Sequence, residues 1–163
     1  MNSPSPRSER LLERSHTILE EQDARHTRAV VLLHEGPAYR LAGDVEGEAR
    51  TVEAPLGFCL EAGIVGRSAV ALESVARLLD DADHHVEAAT LLVTADAVTR
   101  KAGITPGPLR LSLREAIVAR ARDGLGEGPF EAAFTAGAHR SLQESLLLAT
   151  RLMRDLVTTR GPV

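Results

Sequence analysis

At 163 residues the chain has the length of one ordinary domain, enough to bury a core without disulfide or metal staples. Hydrophobic residues reach 44% while aromatic ones stop at 2%, so Ala, Leu and Val dominate, which is a helix former's alphabet. Nineteen basic residues, of which Lys101 is the only lysine, face 23 acidic ones for a net charge of −4, and the basic surplus of a direct nucleic-acid binder is missing.

The single cysteine, Cys59, has no internal partner and suits a reducing, cytoplasmic setting. Apolar runs such as AVVLL (29–33) and LLLA (146–149) are far shorter than a bilayer span, so no membrane partner is expected. MNSPSPRSER opens with Pro, Ser and charges, unlike the apolar core of a signal peptide. The expectation is a disordered leader over 1–7, one helical domain over 8–158 and a tail over 159–163.

Taken in order, the apolar periodicity is helical nearly everywhere. Leu11, Leu12, Ile18 and Leu19 share one stripe and predict a helix over 8–22. A second is expected over 24–42, closed by Gly43, and a third over 45–62, closed by Gly63. Glycine just past the last periodic residue stops a helix because it takes the left-handed conformation without a Cβ penalty. Helices over 65–79 and 84–102 follow, the latter closed by Gly103, and the prolines of TPGP (105–108) force a break. Ser112 with Glu115, and Ser141 with Glu144, match the capping box, in which hydroxyl and carboxylate satisfy reciprocal backbone amides. Between them, Pro129 suits the first position of a short helix ending near Gly137. Pro37 and Pro55 fall inside expected helices, where proline costs about 3 kcal/mol, and predict kinks or early ends. The sum is about eight helices and no strand, an all-α domain.

The helices repeat. A shift of 39 residues aligns Arg28 with Arg67, Val31 with Val70, Leu33 with Leu72, Asp44 with Asp83, Glu48 with Glu87 and Ala49 with Ala88. Each unit reads helix, polar turn, helix, Ala-Gly-Ile, the pattern of an α-α superhelix built from tetratricopeptide-like pairs.

The densest cluster of chemistry is LLDDADHHVEAATLL, 78–92, with three aspartates beside His84 and His85. A metal site is the sharp reading, but adjacent histidines on a helix point about 100° apart and do not easily meet one ion. The repeat places DDADHH on the turn between paired helices, with Asp83 as cap and Asp80 and Asp81 solvated. On that reading no metal or other cofactor is expected, and replacing His84 and His85 by Ala changes stability by at most about 0.5 kcal/mol. GLGEGP (124–129) lacks the strand and the Lys-Ser pair of a phosphate loop and reads as a helix end and the next helix start. Cys59 reads as a small core residue, and His16, His26, His34 and His139 as surface or cap residues.

From about residue 86 onward, EAATLLVTADAVTRKAG followed by ITPGPLRLSLREAIVARARDGLGEGPFEAAFTAGAHRSLQESLLLA resembles the C-terminal helical region of LuxR-type and AfsR-type bacterial transcriptional regulators that carry a signal-transduction ATPase module. The preceding units, with Tyr39, Gly43-Asp44 and Ala49, resemble the tetratricopeptide-like repeats of the same proteins. The resemblance covers about residues 26 to 150 and implies a helical region that senses a partner or ligand. The chain has neither the P-loop nor a DNA-reading segment of such regulators.

Two function classes follow. The first is a non-catalytic interaction module for a protein or peptide, a stand-alone relative or C-terminal piece of such a regulator. Stacked pairs would line a concave face with their first helices, making Arg28, Glu35, Arg67, Glu73 and Arg77 candidate contacts against the plainer reading of a solvated face. The second is a small helical metal-dependent enzyme or ligand-binding protein using the 80–85 turn or a pocket between helices. In the last helix, Leu142, Leu146 and Met153 form a coiled-coil-like seam, and Leu148 and Leu152 widen it, so a homodimer through these five residues is expected. Covering of both stripes by the short helix over 129–137 is the alternative.

Overall fold

The computed structural model describes residues 6–160, which form seven helices: α1 (Pro6–Leu41), α2 (Val45–Ala62), α3 (Val65–Asp80), α4 (His85–Lys101), α5 (Pro108–Leu125), α6 (Glu127–His139) and α7 (Leu142–Arg160). Residues 1–5 of the expected leader and 161–163 of the expected tail lie outside the described residues. The all-α class stands. Seven helices replace about eight because the two expected over 8–22 and 24–42 are one. Their junction, Gln22-Asp23-Ala24, holds neither Gly nor Pro, so nothing there stops propagation.

Helix ends follow the local signals closely. Gly43, Gly63 and Gly103 all take positive φ where the sequence puts helix stops. At Gly63 the backbone N–H donates to the Cys59 carbonyl, closing α2. Asp44 caps α2 by accepting from the Gly47 amide at 2.7 Å. Gly47 has no room for a side chain, since a Cβ there would sit 2.3 Å from the Tyr39 ring. In the Ser141–Glu144 box the Ser141 amide and hydroxyl both donate to Glu144 Oε2, at 2.9 and 2.6 Å, and the Glu144 amide returns a bond to Ser141 Oγ. These bonds hold the Glu144 carboxyl below the usual carboxylate range.

Three expectations fail. Ser112 starts no helix, because Gly107 and Pro108 open α5 a turn earlier, proline being preorganised for the first helical position. Pro129 is the third residue of α6, not the first. Pro37 and Pro55 do not end their helices. Pro55 is buried in α2, where packing offsets the backbone bond it omits, whereas Pro37 is exposed and lies within the last turns of α1.

The core joins α2, α3, α4 and α7 through Val52, Leu56, Cys59, Leu72, Val75, Leu78, Leu79, Leu91, Leu92, Leu146 and Met153, all buried. Each large aliphatic side chain so placed stabilises by about 1.5–3 kcal/mol. Neighbours α1 with α2 and α3 with α4 pack as the repeat implies. Beyond them the order changes. α6 packs mainly on α4, and α7 returns across α2 and α3. The α4–α6 approach depends on Gly137, where a Cβ would fall 2.4 Å from the Thr90 carbonyl oxygen. Thr94 donates there to the Gly137 carbonyl at 3.0 Å and accepts from Ser145 of α7 at 3.1 Å.

Candidate functional site

The turn between α3 and α4 brings a buried charge, Asp80, together with basic partners from elsewhere in the chain. Asp80, the last residue of α3, has a fully buried side chain, and two side chains from two other elements converge on it. Arg120 of α5 donates from Nε at 2.6 Å and from Nη2 at 2.5 Å to Oδ2. His85 Nδ1 lies 2.9 Å from Oδ1. The imidazole lies beside Gly124, where any Cβ would meet its Cδ2 at 2.6 Å. Gly124 therefore makes room for a histidine instead of building a phosphate loop. The GLGEGP stretch otherwise behaves as read, with α5 ending at Leu125 and Gly126 in the turn.

This overturns the expected roles of the turn residues. Asp80 is buried and paired, not solvated. Asp83, expected to cap α4, points into solvent with its backbone at φ 63°, and α4 has no side-chain cap. Asp81 bonds to Arg40 of α1. His84 is exposed while His85 is paired with Asp80, so the two histidines are not equivalent.

From Asp81 the network continues inward. Arg40 bonds to Glu48 at 3.0 Å, and Glu48, buried in α2, also accepts from Arg77 Nη2 at 2.7 Å. Burial disfavours the Arg40 charge, but the hydrogen bond to Asp81 and the Glu48 carboxylate outweigh it, raising its pKa above the ordinary value. The chain of pairs thus ties α1, α2, α3, α4 and α5 together. A buried carboxylate of this kind is costly to desolvate, yet removing its partner costs more, about 3–5 kcal/mol.

An imidazole held through Nδ1 by a buried carboxylate is also an acid–base arrangement. Here both Asp80 oxygens are occupied, and Nε2 faces Asp83 at 3.7 Å. Cys59 is buried in the core away from this turn, and burial pushes its thiol pKa up. Among the described residues no group of three His, Cys, Asp or Glu is placed to hold a metal ion. The geometry accounts for a clamp that fixes five helices.

The residues expected to bind partners divide. Arg28 and Glu35 are exposed on α1, and Arg67 is half-buried. Glu73 and Arg77 are drawn inside: Arg110 grips both Glu73 oxygens at 2.9 and 2.6 Å, and Arg77 serves Glu48. Those two are corrected from partner contacts to internal ties. In α7, Leu146 and Met153 are core residues, and Leu142, Leu148 and Leu152 pack against that core. Within the chain these residues pack toward α2 and α3, because α7 folds back across them, and Leu142, Leu148 and Leu152 stay partly exposed. His26 packs its ring edge-on to Phe58, and His34 bonds to the Val30 carbonyl.

Glu48 and Arg120 escaped the sequence reading, although Glu48 left a signal. Glu48 is in helical phase with buried Val52, Pro55 and Cys59, a charge on an apolar stripe. Such a residue needs a partner, but the sequence does not say which. A second missed group lies between α5 and α6, where Arg114 bonds to Asp96 of α4 while its Nε is buried and unpaired. No helix is long and apolar enough to cross a membrane among the described residues. No protein-family model, no curated protein and no solved structure matches this chain.

Proposed function

We propose that this protein is a non-catalytic interaction module that binds a protein or peptide partner along the outward face of α1. One observation carries the reading. Glu20, Ala24, Arg28, Val31, Glu35 and Ala38 recur at helical spacing and are all exposed, with Val31 open to 47%. Arg25 pairs with Glu61, next to the last residue of α2, so the first part of α1 has passed the end of its neighbour. The described side chains of that part, Arg14, Thr17, Ile18, Glu20, Glu21, Asp23 and Ala24, are exposed as well. A helical segment of this length is marginal alone in water, and a second helix laid against it supplies the missing packing.

The resemblance to the helical regions of LuxR-type and AfsR-type regulators, which sense partners, points the same way. The alternating small, apolar and charged positions fit a helix of complementary charge better than a flat apolar surface. A photo-crosslinking residue at position 31 is expected to capture one protein in the host, while the same residue at the exposed Leu147 of α7 captures none. With that protein purified, Val31→Glu combined with Arg28→Glu is expected to weaken binding at least tenfold without altering the melting temperature. Equal capture from both positions, or unchanged affinity, would sink the reading.

A further inference from the structure

We infer that the side of α1 facing α2 continues past the end of α2 as a stripe that pairs, antiparallel, with the same stripe of a second copy of this chain. α1 has 36 residues and α2 has 18, and α1 packs only on α2 and α3 among the described elements. Ala29, Leu33 and Gly36 are buried and His26 is half-buried, with Gly36 against Thr51 and His26 against Phe58, so they mark the face that α2 covers. Arg25, paired with Glu61, marks where that cover stops.

Ile18 lies on the same line. It precedes Ala29 by eleven residues and Gly36 by eighteen, about three and five whole turns, yet it is 49% exposed. Leu11 precedes Ala29 by eighteen residues, and Leu12 and Leu19 hold the adjoining register positions. An apolar line that one neighbour covers at one end is left to a further helix at the other. The outward face of Glu20, Ala24, Arg28 and Val31 lies on the opposite side of α1, so this interface goes beyond the one proposed there.

A second copy fits because the stripe is its own complement. With the two-fold axis between residues 16 and 17, an antiparallel pair sets Ile18 of one copy against Ser15 of the other, and Leu12 beside Leu19 along one flank. On the other flank Arg14 meets Glu21, and symmetry makes each contact twice. Arg14 and Glu21 are both exposed, and neither has an ion-pair partner among the described residues of its own chain. Parallel pairing sets Arg14 beside Leu19 and gains no charge pair, so the charges select the antiparallel arrangement. Two single helices in contact over roughly 25 Å fall below the standard interface of about 1,200–2,000 Å², so the association is weak and concentration-dependent.

Sedimentation equilibrium of the purified full chain from about 1 µM to about 500 µM tests this, at low salt so that surface pairs are not screened. A monomer–dimer equilibrium with a micromolar to submillimolar Kd is expected. Ile18→Glu is expected to weaken it at least tenfold without altering the melting temperature of the monomer, since that side chain is half exposed. Arg14→Glu and Glu21→Arg, each alone, bring like charges together at both symmetric contacts and are expected to weaken self-association at least threefold. Mixed in equal amounts, these two variants are expected to pair with each other as strongly as the wild type does, because every glutamate then meets an arginine. A chain still monomeric at about 500 µM, a dimer that survives Ile18→Glu, a mixture no stronger than either variant alone, or a dimer broken instead by Leu147→Glu of α7 overturns the proposal. All of these outcomes are read on this chain alone, so a host partner found at Val31 stands or falls separately.

Discussion

The two turns that the repeat places in register, Gly43-Asp44 and Asp83-His84, share a backbone role and differ in where their charges go. In the first, Asp44 caps α2 and Glu48, one helical turn on, is buried between Arg40 and Arg77. In the second, Asp83 points into solvent and the aligned Glu87 is only partly buried. The carboxylate that anchors this turn is Asp80, supplied by the preceding helix. A repeat therefore conserves the spacing of elements and the small residues at their crossings more faithfully than it conserves electrostatics. Charges follow the neighbours, and the neighbours differ: both turns reach Arg40 of α1, but the first also draws on Arg77 of α3 and the second on Arg120 of α5.

The sharpest way to break this comparison is to remove the aligned glutamates. Glu48→Ala is expected to destabilise by about 3–5 kcal/mol, since it leaves two arginines around an emptied buried position, whereas Glu87→Ala changes stability by about 0.5 kcal/mol or less. Urea unfolding midpoints measure both. Similar losses would show that the two turns are electrostatically equivalent after all.

The shared part of the repeat is tested at its small residues. Ala49 and Ala88 are aligned and both buried. Leucine at either position is expected to overpack the helix crossing and cost about 1–3 kcal/mol. A variant that melts with the wild type would remove that position from the repeat.

Within the second turn, the histidines separate. His85→Ala deletes the bond to buried Asp80 and is expected to cost about 1.5–3 kcal/mol, as for hydrogen bonds to charged groups. His84→Ala should stay within about 0.5 kcal/mol. Thermal melts of the two single variants decide it, and equal effects would return the pair to the status of an ordinary polar turn.

The caps give a smaller contrast of opposite sign. Asp44→Ala is expected to lose about 1 kcal/mol with the Gly47 bond. Asp83→Gly is expected to gain about 0.5–1 kcal/mol, because Asp83 makes no cap and its φ of 63° is a conformation that glycine adopts without a Cβ penalty.

The smallest effect concerns a third helix start. The Glu144 carboxyl is held below the usual range by the bonds from Ser141, so its contribution is complete above the ordinary glutamate value and is lost as pH falls through the lower folded value. The melting difference between wild type and Glu144→Gln should vanish at the acidic end. A difference constant with pH would mean that the carboxylate form is not what caps α7.

Much of this molecule was legible from one dimension. Gly43, Gly63, Gly103, Gly126 and the Ser141–Glu144 box ended or began helices where the residues alone placed them, because caps, left-handed glycines and apolar phase are decided within one or two turns of chain. Cys59 was legible for the same reason, as a residue in phase with its apolar neighbours. The candidate site was legible only as a cluster of types. That Asp80 would be buried by Arg120 40 positions away, that Glu73 and Arg77 would turn inward, and that the leucines of α7 would meet α2 and α3 were tertiary decisions. A hydrogen-bonded helix end is satisfied by its own neighbours in sequence. A buried charge or a wide apolar stripe is satisfied only by whichever distant element the fold brings against it, and that choice is made by the packing of the whole chain.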